Sequence, residues 1–455
     1  MSPESEVTII NNEENNTTSL NTWDGDDDPR NPRNWSTARK LSITFLVNFA
    51  TLNDSLASTI FSPAVPQILQ EFHIHSASLS SFLISVHVIG FAVGPLLCPV
   101  SEVYGRSPMM HASNMLFILS SVLCAVSTNV GMLIFAHILM GLAGCVPAVL
   151  GGRTLSVWAC GSTFGSVIGP IAGGYLAQKA GWRWTFWLEV IVSGLTAIAT
   201  IFILKETYAP VILHKTRHQN NPTQFQTNTQ LLKIAIARPL KLLTRSPTIL
   251  LSAFYTSTAY VYMYFLITIF PTFFSARYRF NEGEVGLTYL APSIGLVLGQ
   301  FIFGPFLDWY HTKQTRIRGY SLPEDRLTLL LPGNVFIATG LFWFEWSAQA
   351  HTHWAVPLAS TIIINLGVFC VFTSILAYIA DSFELLSASA RAANAIVRSV
   401  LGAVLPLLAP RLYEGLGYGW GFTLLGLIVV GFMPTVVLFR RFGGRLRVDA
   451  RFRVE

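Results

Sequence analysis

Charge is scarce in this sequence. Only 12% of the 455 residues are Asp, Glu, Lys or Arg, about half of the roughly 25% that a soluble domain carries. Hydrophobic residues make up 52% of the chain, and the mean hydropathy is +0.50. So few charges cannot cover a water-facing surface, and the composition therefore predicts a membrane protein. One span needs about 20 residues, so twelve spans would take roughly 240 residues, in keeping with the apolar share.

Features that mark several other protein classes are missing. The five cysteines all lie in apolar segments, where a thiol packs as a small hydrophobe, so no disulfide framework is expected. No GxxxxGK[ST] string is present for binding ATP phosphates. A nucleophile elbow and paired catalytic carboxylates are also missing, so an enzyme is the least favoured class. No cofactor or metal ion is expected.

Apolar runs divide the chain into twelve predicted spans. A polar tail, residues 1–40, precedes them; it has no signal peptide and is expected to be disordered. An N-terminal six-helix bundle (41–204), a linker (205–248), a C-terminal six-helix bundle (249–439) and a basic tail (440–455) follow. The predicted fold class is an all-α membrane protein with twelve transmembrane helices in two bundles. The predicted spans are 41–62, 79–100, 109–128, 131–152, 155–178, 184–204, 249–275, 286–307, 328–346, 354–378, 396–412 and 420–439.

Basic residues predict the orientation. With the N-terminus inside, the outer segments hold only five of the 30 Lys and Arg residues, namely Lys179, Arg183, Arg277, Arg279 and Arg411. The positive-inside rule then places both termini in the cytosol, and the basic residues form no stripe for nucleic acid. We expect a monomer in the plasma membrane, with the vacuolar membrane as the alternative.

The linker carries a segment, residues 229–245, in which Leu and Ile alternate with Lys and Arg. This pattern predicts a basic amphipathic helix on the inner leaflet, started or kinked by Pro239.

The two halves of the chain echo each other. Gly90-x3-Gly94-x7-Glu102 ends span 2, and Gly295-x3-Gly299-x8-Asp308 ends span 8. Each string is a small-residue helix face followed by an acid at the cytosolic edge. Internal duplication of six spans is typical of secondary transporters, with a substrate site between the halves.

A set of strings gives a more specific indication. The string Gly94-Pro95-x6-Glu102-Val103-Tyr104-Gly105-Arg106 resembles the loop 2–3 signature of the major facilitator superfamily, in the form used by its fungal drug:proton antiporter branch. Gly165-x3-Gly169-Pro170-x2-Gly173-Gly174 is similar to the span 5 signature of proton-driven exporters. Further similar strings are Trp23-Asp24-Gly25, Asn31-Pro32-x2-Asn34-Trp35-Ser36, Gly181-Trp182-Arg183-Trp184, Glu206-Thr207-Tyr208-Ala209-Pro210 and Asn394-x3-Arg398-Ser399.

The resemblance and elementary physics together suggest gating residues. Glu102 and Arg106 lie at a helix end, where a charge pair can lock one helix in one state and release it in another. The glycines of span 5 allow close approach of a neighbouring helix, and Pro170 bends the helix. The resemblance implies a hinge that favours export and resists proton leak. The plainer alternatives are an ordinary helix-end pair and ordinary small-residue packing. The gating candidates are Gly94, Glu102, Gly105, Arg106, Gly165, Gly169, Pro170, Gly173 and Gly174.

Charges inside the bilayer are costly unless they are functional or paired, so they mark candidate sites. Asp54 in span 1 is the best candidate for carrying a proton or meeting a cationic substrate; alternatively, Asn53 satisfies a structural carboxylate. Glu189 in span 6 is a second candidate, although a pair with Arg183 at the boundary is favoured. Arg398 lies near the start of span 11. His87 in span 2 is as well explained by a structural role as by titration.

Span 7 is rich in aromatic residues, and Tyr offers a flat apolar face plus one hydrogen bond for a hydrophobic substrate. The candidates for substrate contact are Tyr255, Tyr260 and Tyr262, although most aromatic residues of the span are expected to face lipid or other helices.

Two departures from the resembled family stand out. The family carries an Arg in span 4, four residues before a Gly, and this chain has His137 before Gly141. The family implicates that Arg in proton coupling, and a neutral imidazole does not replace a fixed charge, although it can take up a proton. A partnership between His137 and Asp54 is one expectation and a structural role the other. The loop between spans 4 and 5, residues 151–153, is also about a dozen residues shorter than in the family.

The sequence therefore predicts a secondary transporter that exports a small hydrophobic or cationic organic compound, such as a drug, polyamine or secondary metabolite, in exchange for protons. Proton-coupled uptake and an impaired, non-transporting family member remain the alternatives. The expected partners are the substrate, protons and the lipid bilayer.

Overall fold

The computed structural model describes residue 25 and residues 27–150, 155–209, 211–213, 228–383 and 386–448. Within these ranges the secondary structure is helical and no strand occurs. Ten stretches are long and apolar enough to cross a membrane. Two further helices, α1 and α5 below, have 21 and 26 residues, which is the length of about 20 that a span needs.

Twelve long helices follow one another and are labelled α1 to α12. Those of the N-terminal bundle are α1 Thr37–Ala57, α2 Ala77–Tyr104, α3 Arg106–Ala125, α4 Val130–Leu150, α5 Leu155–Ala180 and α6 Arg183–Ile203. Those of the C-terminal bundle begin with α7 Pro247–Tyr278, α8 Leu290–Arg318, α9 Leu330–Gln349, α10 Ala355–Ser382 and α11 Ser387–Val404. A 3-10 turn, Leu405–Leu408, links α11 to the helix Ala409–Val448, which Gly417 breaks with a φ of 72°. The part beyond Gly417 is α12. The prediction of twelve spans is confirmed.

Local chemistry explains where helices begin. Ser36, Ser76 and Ser246 precede α1, α2 and α7, and each hydroxyl accepts the backbone N–H three residues later. This satisfies one of the N–H groups that a helix start leaves without a partner. Asn281 does the same for the short helix Glu282–Thr288, where Glu284 completes a capping box.

Each half has its own hydrophobic core. The core of the N-terminal bundle is built from residues between Leu56 and Phe186, and that of the C-terminal bundle from residues between Leu242 and Phe439. The halves are therefore two bundles, as predicted. We call the side on which α1 begins the inner side and the opposite side the outer side.

Two helix boundaries differ from the prediction. The helix α11 begins at Ser387 and not near 396, so Arg398 lies about three turns into it and not near its start. The helix α8 begins later, after the short helix Glu282–Thr288, and extends to Arg318. The predicted limits were set where charged residues occur. They were misplaced because a helix that projects beyond the bilayer tolerates charge.

The segment before α1 is folded where it is described. Asn34 donates its amide to the backbone oxygen of Asp28 at 3.1 Å, and a 3-10 turn, Pro32–Asn34, leads into the helix. The guanidinium of Arg39 lies 3.9 Å from the centre of the Trp35 ring. The expectation of disorder is therefore wrong for this part, and residues 1–24 lie outside the described ranges.

A column of glycines joins α5 to α1. Gly161, Gly165, Gly169 and Gly173 recur every four residues, and a Cβ on any of them would lie within 2.6 Å of an α1 atom or of the turn that follows α1. The neighbouring Gly174 instead faces the short helix Glu282–Thr288 of the other half, where a Cβ would lie 2.3 Å from the oxygen of Glu282. Only glycine permits these backbone approaches.

The halves interlock on the outer side. The hydroxyls of Ser62 and Tyr289 are 2.7 Å apart, and Tyr289 donates to the backbone oxygen of Ile267 at 2.9 Å. Nearby, Gln67 donates to Glu282 at 3.2 Å. Deeper in the interface, Ser85 of α2 donates to the oxygen of Ala403 at 2.9 Å. The two halves therefore meet by direct polar contacts at their outer ends.

The linker forms a helix, Asn228–Arg245, as predicted, and Pro239 lies inside it. It packs against α2 and α11 at the inner side, and Leu242 is buried in the core of the C-terminal bundle. The linker helix therefore contacts both halves, and its position on the inner leaflet stays a prediction. Residues 151–154, which include the short loop between α4 and α5, lie outside the described ranges.

Candidate functional site

Four ionisable side chains from four helices of the N-terminal bundle gather at one depth. None is more than 5% exposed. They come from α1, α2, α4 and α6, and all four lie within about three turns of the outer helix ends. We call them the buried cluster: Asp54, His87, His137 and Glu189.

The centre of the buried cluster is a hydrogen bond between Asp54 and His87. Oδ1 of Asp54 lies 3.1 Å from Nε2 of His87. Gly144 of α4 makes room for the carboxylate, since a Cβ there would lie 1.7 Å from Oδ1. Gly141, one turn earlier, lets α4 touch the backbone oxygen of His87, where a Cβ would lie at 2.0 Å. Two glycines of α4 therefore bring three helices together around the pair.

His137 does not pair with Asp54, so the expected partnership is wrong and His87 takes that place. The ring of His137 lies 4.5 Å from that of Phe61, 6.0 Å from that of Phe186 and 5.3 Å from that of His87. Neither of its ring nitrogens has a hydrogen-bond partner among the described residues. His137 is thus an imidazole held by aromatic rings beside the Asp54–His87 pair.

Glu189 does not pair with Arg183 either. Arg183 forms its ion pair with Glu71, with 2.6 Å between Nη1 and Oε1, while both carboxylate oxygens of Glu189 lack a partner among the described residues. The prediction of an ion pair between Glu189 and Arg183 is therefore wrong, because Arg183 points outward to the helix Val65–Glu71. There Trp182 donates its indole N–H to Glu71 at 2.6 Å, and this bond, opposed by burial and aided by Arg183, lowers the pKa of the Glu71 carboxyl.

A small polar cavity of about 10 Å³ lies directly inward of the buried cluster. Its lining includes Asn53, Asn114, Gly144, Ser193 and Thr196. Such a volume holds about one water molecule. An asparagine would satisfy a carboxylate by donating from its amide nitrogen, but among the described residues the carboxylate of Asp54 is bonded to His87 and not to Asn53. The structural alternative, in which Asn53 satisfies Asp54, therefore does not hold. Across the described residues no three His, Cys, Asp or Glu side chains are placed to hold a metal ion.

The C-terminal bundle presents a different group to the interface between the halves. The guanidinium carbon of Arg398 lies 4.8 Å from the ring centre of Tyr260 and 5.4 Å from that of Phe372. Nε of Arg398 is buried without a hydrogen-bond partner, and no carboxylate of the described residues pairs with the guanidinium. Gly402, one turn further along α11, packs on the ring of Tyr260.

The three predicted tyrosines divide into two groups. Tyr255 donates to the backbone oxygen of Phe432 at 2.9 Å, and Tyr262 donates to that of Leu425 at 3.0 Å. Both hydroxyls are therefore used inside the C-terminal bundle, against α12. Tyr260 alone faces the arginine, so the expectation of substrate contact narrows to this residue.

Tyr264 connects the two groups of charges. Its ring is 4.9 Å from that of Tyr260, and Tyr264 lies within electrostatic range of both Asp54 and Arg398. It packs against Val88, the neighbour of His87. Tyr264 is thus a buried phenol between the buried cluster and the arginine.

At the inner end of α2, the helix connection is held by Glu206, which does not belong to the predicted pair of Glu102 and Arg106. The carboxylate of Glu206 accepts the backbone N–H groups of Arg106 and Ser107 at 3.0 and 3.1 Å. Gly105 has a φ of +99°, and a Cβ there would lie 2.3 Å from Glu206. The Arg106 guanidinium stacks on Tyr208, 5.4 Å from the ring centre. The side chain of Glu102 lies outside the description, while Gly94 touches Cys145 of α4 closely.

Sequence reasoning named His87 without its partner and missed several other residues of the site. His87 and Tyr264 both carried a signal, since they are polar groups in apolar spans, but their partners depend on helix packing. Glu206 belonged to a quoted string without a proposed role. Glu345 of α9, 0% exposed and hydrogen-bonded to Thr423, is a buried carboxylate in the C-terminal half that the search for intramembrane charges overlooked.

Comparisons with known proteins agree with this architecture. Residues 47–406 match the Major Facilitator Superfamily. The chain is 36% identical to the MFS-type transporter penM of Penicillium rubens, over 95% of this chain and 90% of that protein. It is 38% identical to the efflux pump radE of Floropilus chiversii, over 95% and 86%. The fold is similar to that of the xylose transporter XylE of E. coli in a partially occluded, inward-open conformation, with a TM-score of 0.64 at 16% identity over 88% of this chain and 98% of that one. The chain belongs to the major facilitator superfamily, and it is a multi-pass membrane transporter.

Proposed function

We propose that this protein exports a small, largely hydrophobic organic compound, such as a drug or secondary metabolite, in exchange for protons. The observation that carries the proposal is the hydrogen bond between Asp54 and His87 within the buried cluster. Groups that bind protons are expensive in a membrane and are retained there mainly for function. The name of the relative radE, an efflux pump, supports the direction of transport.

Charge accounting explains how the pair would work. With a neutral imidazole that donates from Nε2, the ionised carboxylate of Asp54 leaves the pair with a charge of −1. Uptake of one proton brings the pair to zero without breaking the hydrogen bond. Because a net charge in a low-dielectric interior is costly, the neutral pair favours the closed packing around Tyr264, and the charged pair favours access to water. Proton binding and conformation would thereby be coupled.

The inner joint formed by Gly105, Arg106 and Glu206 is proposed to set the balance between inward-open and outward-open states. Glu206 fixes the start of α3 to the end of α6 through the backbone N–H groups of Arg106 and Ser107. Arg106→Ala should change the transport rate more than the substrate affinity. Equal cysteine accessibility of the inner vestibule in wild type and Arg106→Ala would contradict this role.

The proposal is tested first in cells. Accumulation of a panel of drugs, polyamines and fungal metabolites is compared with and without the protein, and lower accumulation identifies an exported compound. Higher accumulation would instead support the alternative of proton-coupled uptake. The exported compound is then added to proteoliposomes that contain a pH-sensitive dye and an imposed proton gradient.

In the proteoliposomes the compound should drive proton flux through the wild type, and Asp54→Asn should abolish the flux while leaving expression and insertion intact. Ser55→Ala is the matched control, because it removes the neighbouring hydroxyl, which lies 3.0 Å from that of Ser162, without removing a titratable group. Full flux in Asp54→Asn would refute the role of Asp54. Absence of flux in the wild type would favour the impaired family member.

A further inference from the structure

Arg398 is the most unusual charged group in the described part of the C-terminal bundle. It lies about three turns into α11, and insertion scales assign an arginine at the centre of a span a cost of about 2.5 to 3.5 kcal/mol. Charges inside a membrane span are normally paired. No carboxylate of the described residues lies within ion-pair distance of this guanidinium.

The surroundings of Arg398 leave room for a partner that the chain does not supply. The guanidinium lies against the rings of Tyr260 and Phe372, and its Nε is buried without a hydrogen-bond partner. Aromatic faces stabilise a cation but leave its N–H donors unused. A planar guanidinium with free donors matches a planar oxyanion.

The position of the group also fits a ligand. Tyr260 comes from α7, Phe372 from α10 and Arg398 from α11, so three helices converge on the guanidinium. Tyr264, one turn from Tyr260, packs on α2 of the other half. The arginine therefore lies close to the interface where a substrate between the halves would be held.

We propose that Arg398 binds an acidic group of the substrate, so that the transported compound is a weak organic acid with a flat apolar body. The acid would be a carboxylate or an enolate, and Tyr260 and Phe372 would contact the apolar part beside it. This inference rests on the proposed function, since it names the substrate class of that transporter. It excludes the cationic compounds that the sequence left open, because a permanent positive charge repels them.

The test measures equilibrium binding, which needs no proton gradient. The full chain is placed in lipid nanodiscs at pH 7.5 and titrated with 2-naphthoate, 2-naphthamide and 2-naphthylmethylamine, which carry charges of −1, 0 and +1 on one flat body. The same three end groups on pyrene test a larger body. Since a hydrogen bond to a charged group is stronger than a neutral one, the wild type should bind the acid about 10- to 100-fold more tightly than the amide.

Variants identify the residue responsible. Arg398→Gln should reduce the ratio of acid to amide affinity to about one, and Arg398→Lys should retain part of it as a point charge. Arg391→Gln is the matched control on the same helix, two turns nearer the inner end, and should leave the ratio unchanged. Melting curves show whether each variant is folded.

Three results would overturn the inference: equal binding of acid and amide by the wild type, a preference for the amine, or no binding of any probe. An unchanged ratio in Arg398→Gln would do the same. Acid-selective binding that depends on Arg398, combined with no proton flux, would overturn proton coupling alone. The two failures are thus distinguishable.

Discussion

The two halves of this transporter handle buried charge in different ways. The N-terminal bundle gathers two carboxylates and two imidazoles in one cluster, and each of these groups can gain or lose a proton. The C-terminal bundle presents one guanidinium, which stays charged at every physiological pH, against two aromatic rings. Its buried carboxylate, Glu345, is instead hydrogen-bonded to Thr423 within the bundle. Although the halves echo each other in sequence and fold, their chemistry has diverged.

This difference suggests that the two halves have different roles in transport. Changeable charge suits the handling of protons, and fixed charge suits the recognition of a ligand. The helix α4 carries His137, and the fixed charge of Arg398 lies in the opposite half. Tyr264 lies between the two sites and is within electrostatic range of Asp54 and Arg398.

The largest expected effect comes from the pair at the centre of the buried cluster. His87→Gln should abolish substrate-driven proton flux as completely as Asp54→Asn, and the double variant should show no further loss, because groups that act as a unit are not additive. Proton flux in proteoliposomes measures all three variants. Glu345→Gln is the control from the other half, since this buried carboxylate is bonded to Thr423. A loss of flux in Glu345→Gln equal to that in Asp54→Asn would break the division between the halves.

Alanine substitutions at two glycines compare the inner ends of the corresponding helices α2 and α8. Gly105 ends α2 with a φ of +99°, and Gly319 ends α8 with a φ of +82°. Alanine strains the backbone at both positions, by about 1 to 3 kcal/mol. At Gly105 its Cβ would also displace Glu206, whereas nothing lies within 4 Å of a Cβ at Gly319.

Gly105→Ala should therefore lower the melting temperature and the transport rate more than Gly319→Ala. Thermal unfolding in detergent and transport assays supply the two measurements. Equal losses in both variants would show that only backbone strain matters and that the contact with Glu206 does not.

His137 should have a smaller effect, on the pH dependence of transport. Its ring lies 5.3 Å from that of His87, so a charge gained on His137 opposes a charge on its neighbour. We expect the rate of the wild type to vary with external pH, because an imidazole can gain or lose a proton, and His137→Gln to flatten that profile. Superimposable profiles would reject the switch, whereas higher activity in His137→Arg would identify an impaired member of the family.

The smallest effect is expected at the outer rim of the N-terminal bundle. The folded protein holds the pKa of Glu71 below its usual value of about 4.5, chiefly through the bond from Trp182. The ionised form therefore stabilises the fold at pH values above the unfolded pKa, and this contribution disappears as the pH falls through the lowered pKa. Because the side chain is 42% exposed, the contribution should stay below about 1 kcal/mol.

Melting temperatures of wild type and Glu71→Gln, compared between pH 7 and pH 3, measure this contribution. The difference between the two proteins should be largest at pH 7 and should vanish toward pH 3. A difference that is independent of pH would assign the effect to packing.

The sequence predicted the fold well because twelve apolar runs and the distribution of basic residues leave few alternatives. It also singled out Asp54, Glu189 and Arg398 as candidates, because any charge in an apolar run is conspicuous. It could not find the partners, since these depend on how each helix is rotated. Asp54 meets His87 and not His137 because Gly141 and Gly144 set the approach of α4, and Tyr255 and Tyr262 turn toward α12 although Tyr260, on the same helix, does not.

The glycine column between α1 and α5 has a mechanical consequence. Where two backbones touch directly, no flexible side chain lies between them to absorb a displacement, so the two helices should move as one rigid rod pair. One member carries Asp54, and the other places Gly174 against the short helix Glu282–Thr288 of the opposite half. A shift of the carboxylate by a fraction of an ångström would therefore also displace Gly174 at its contact with the short helix. The rigidity of the helix pair alone would then transmit the effect of protonating Asp54 to the contact between the halves.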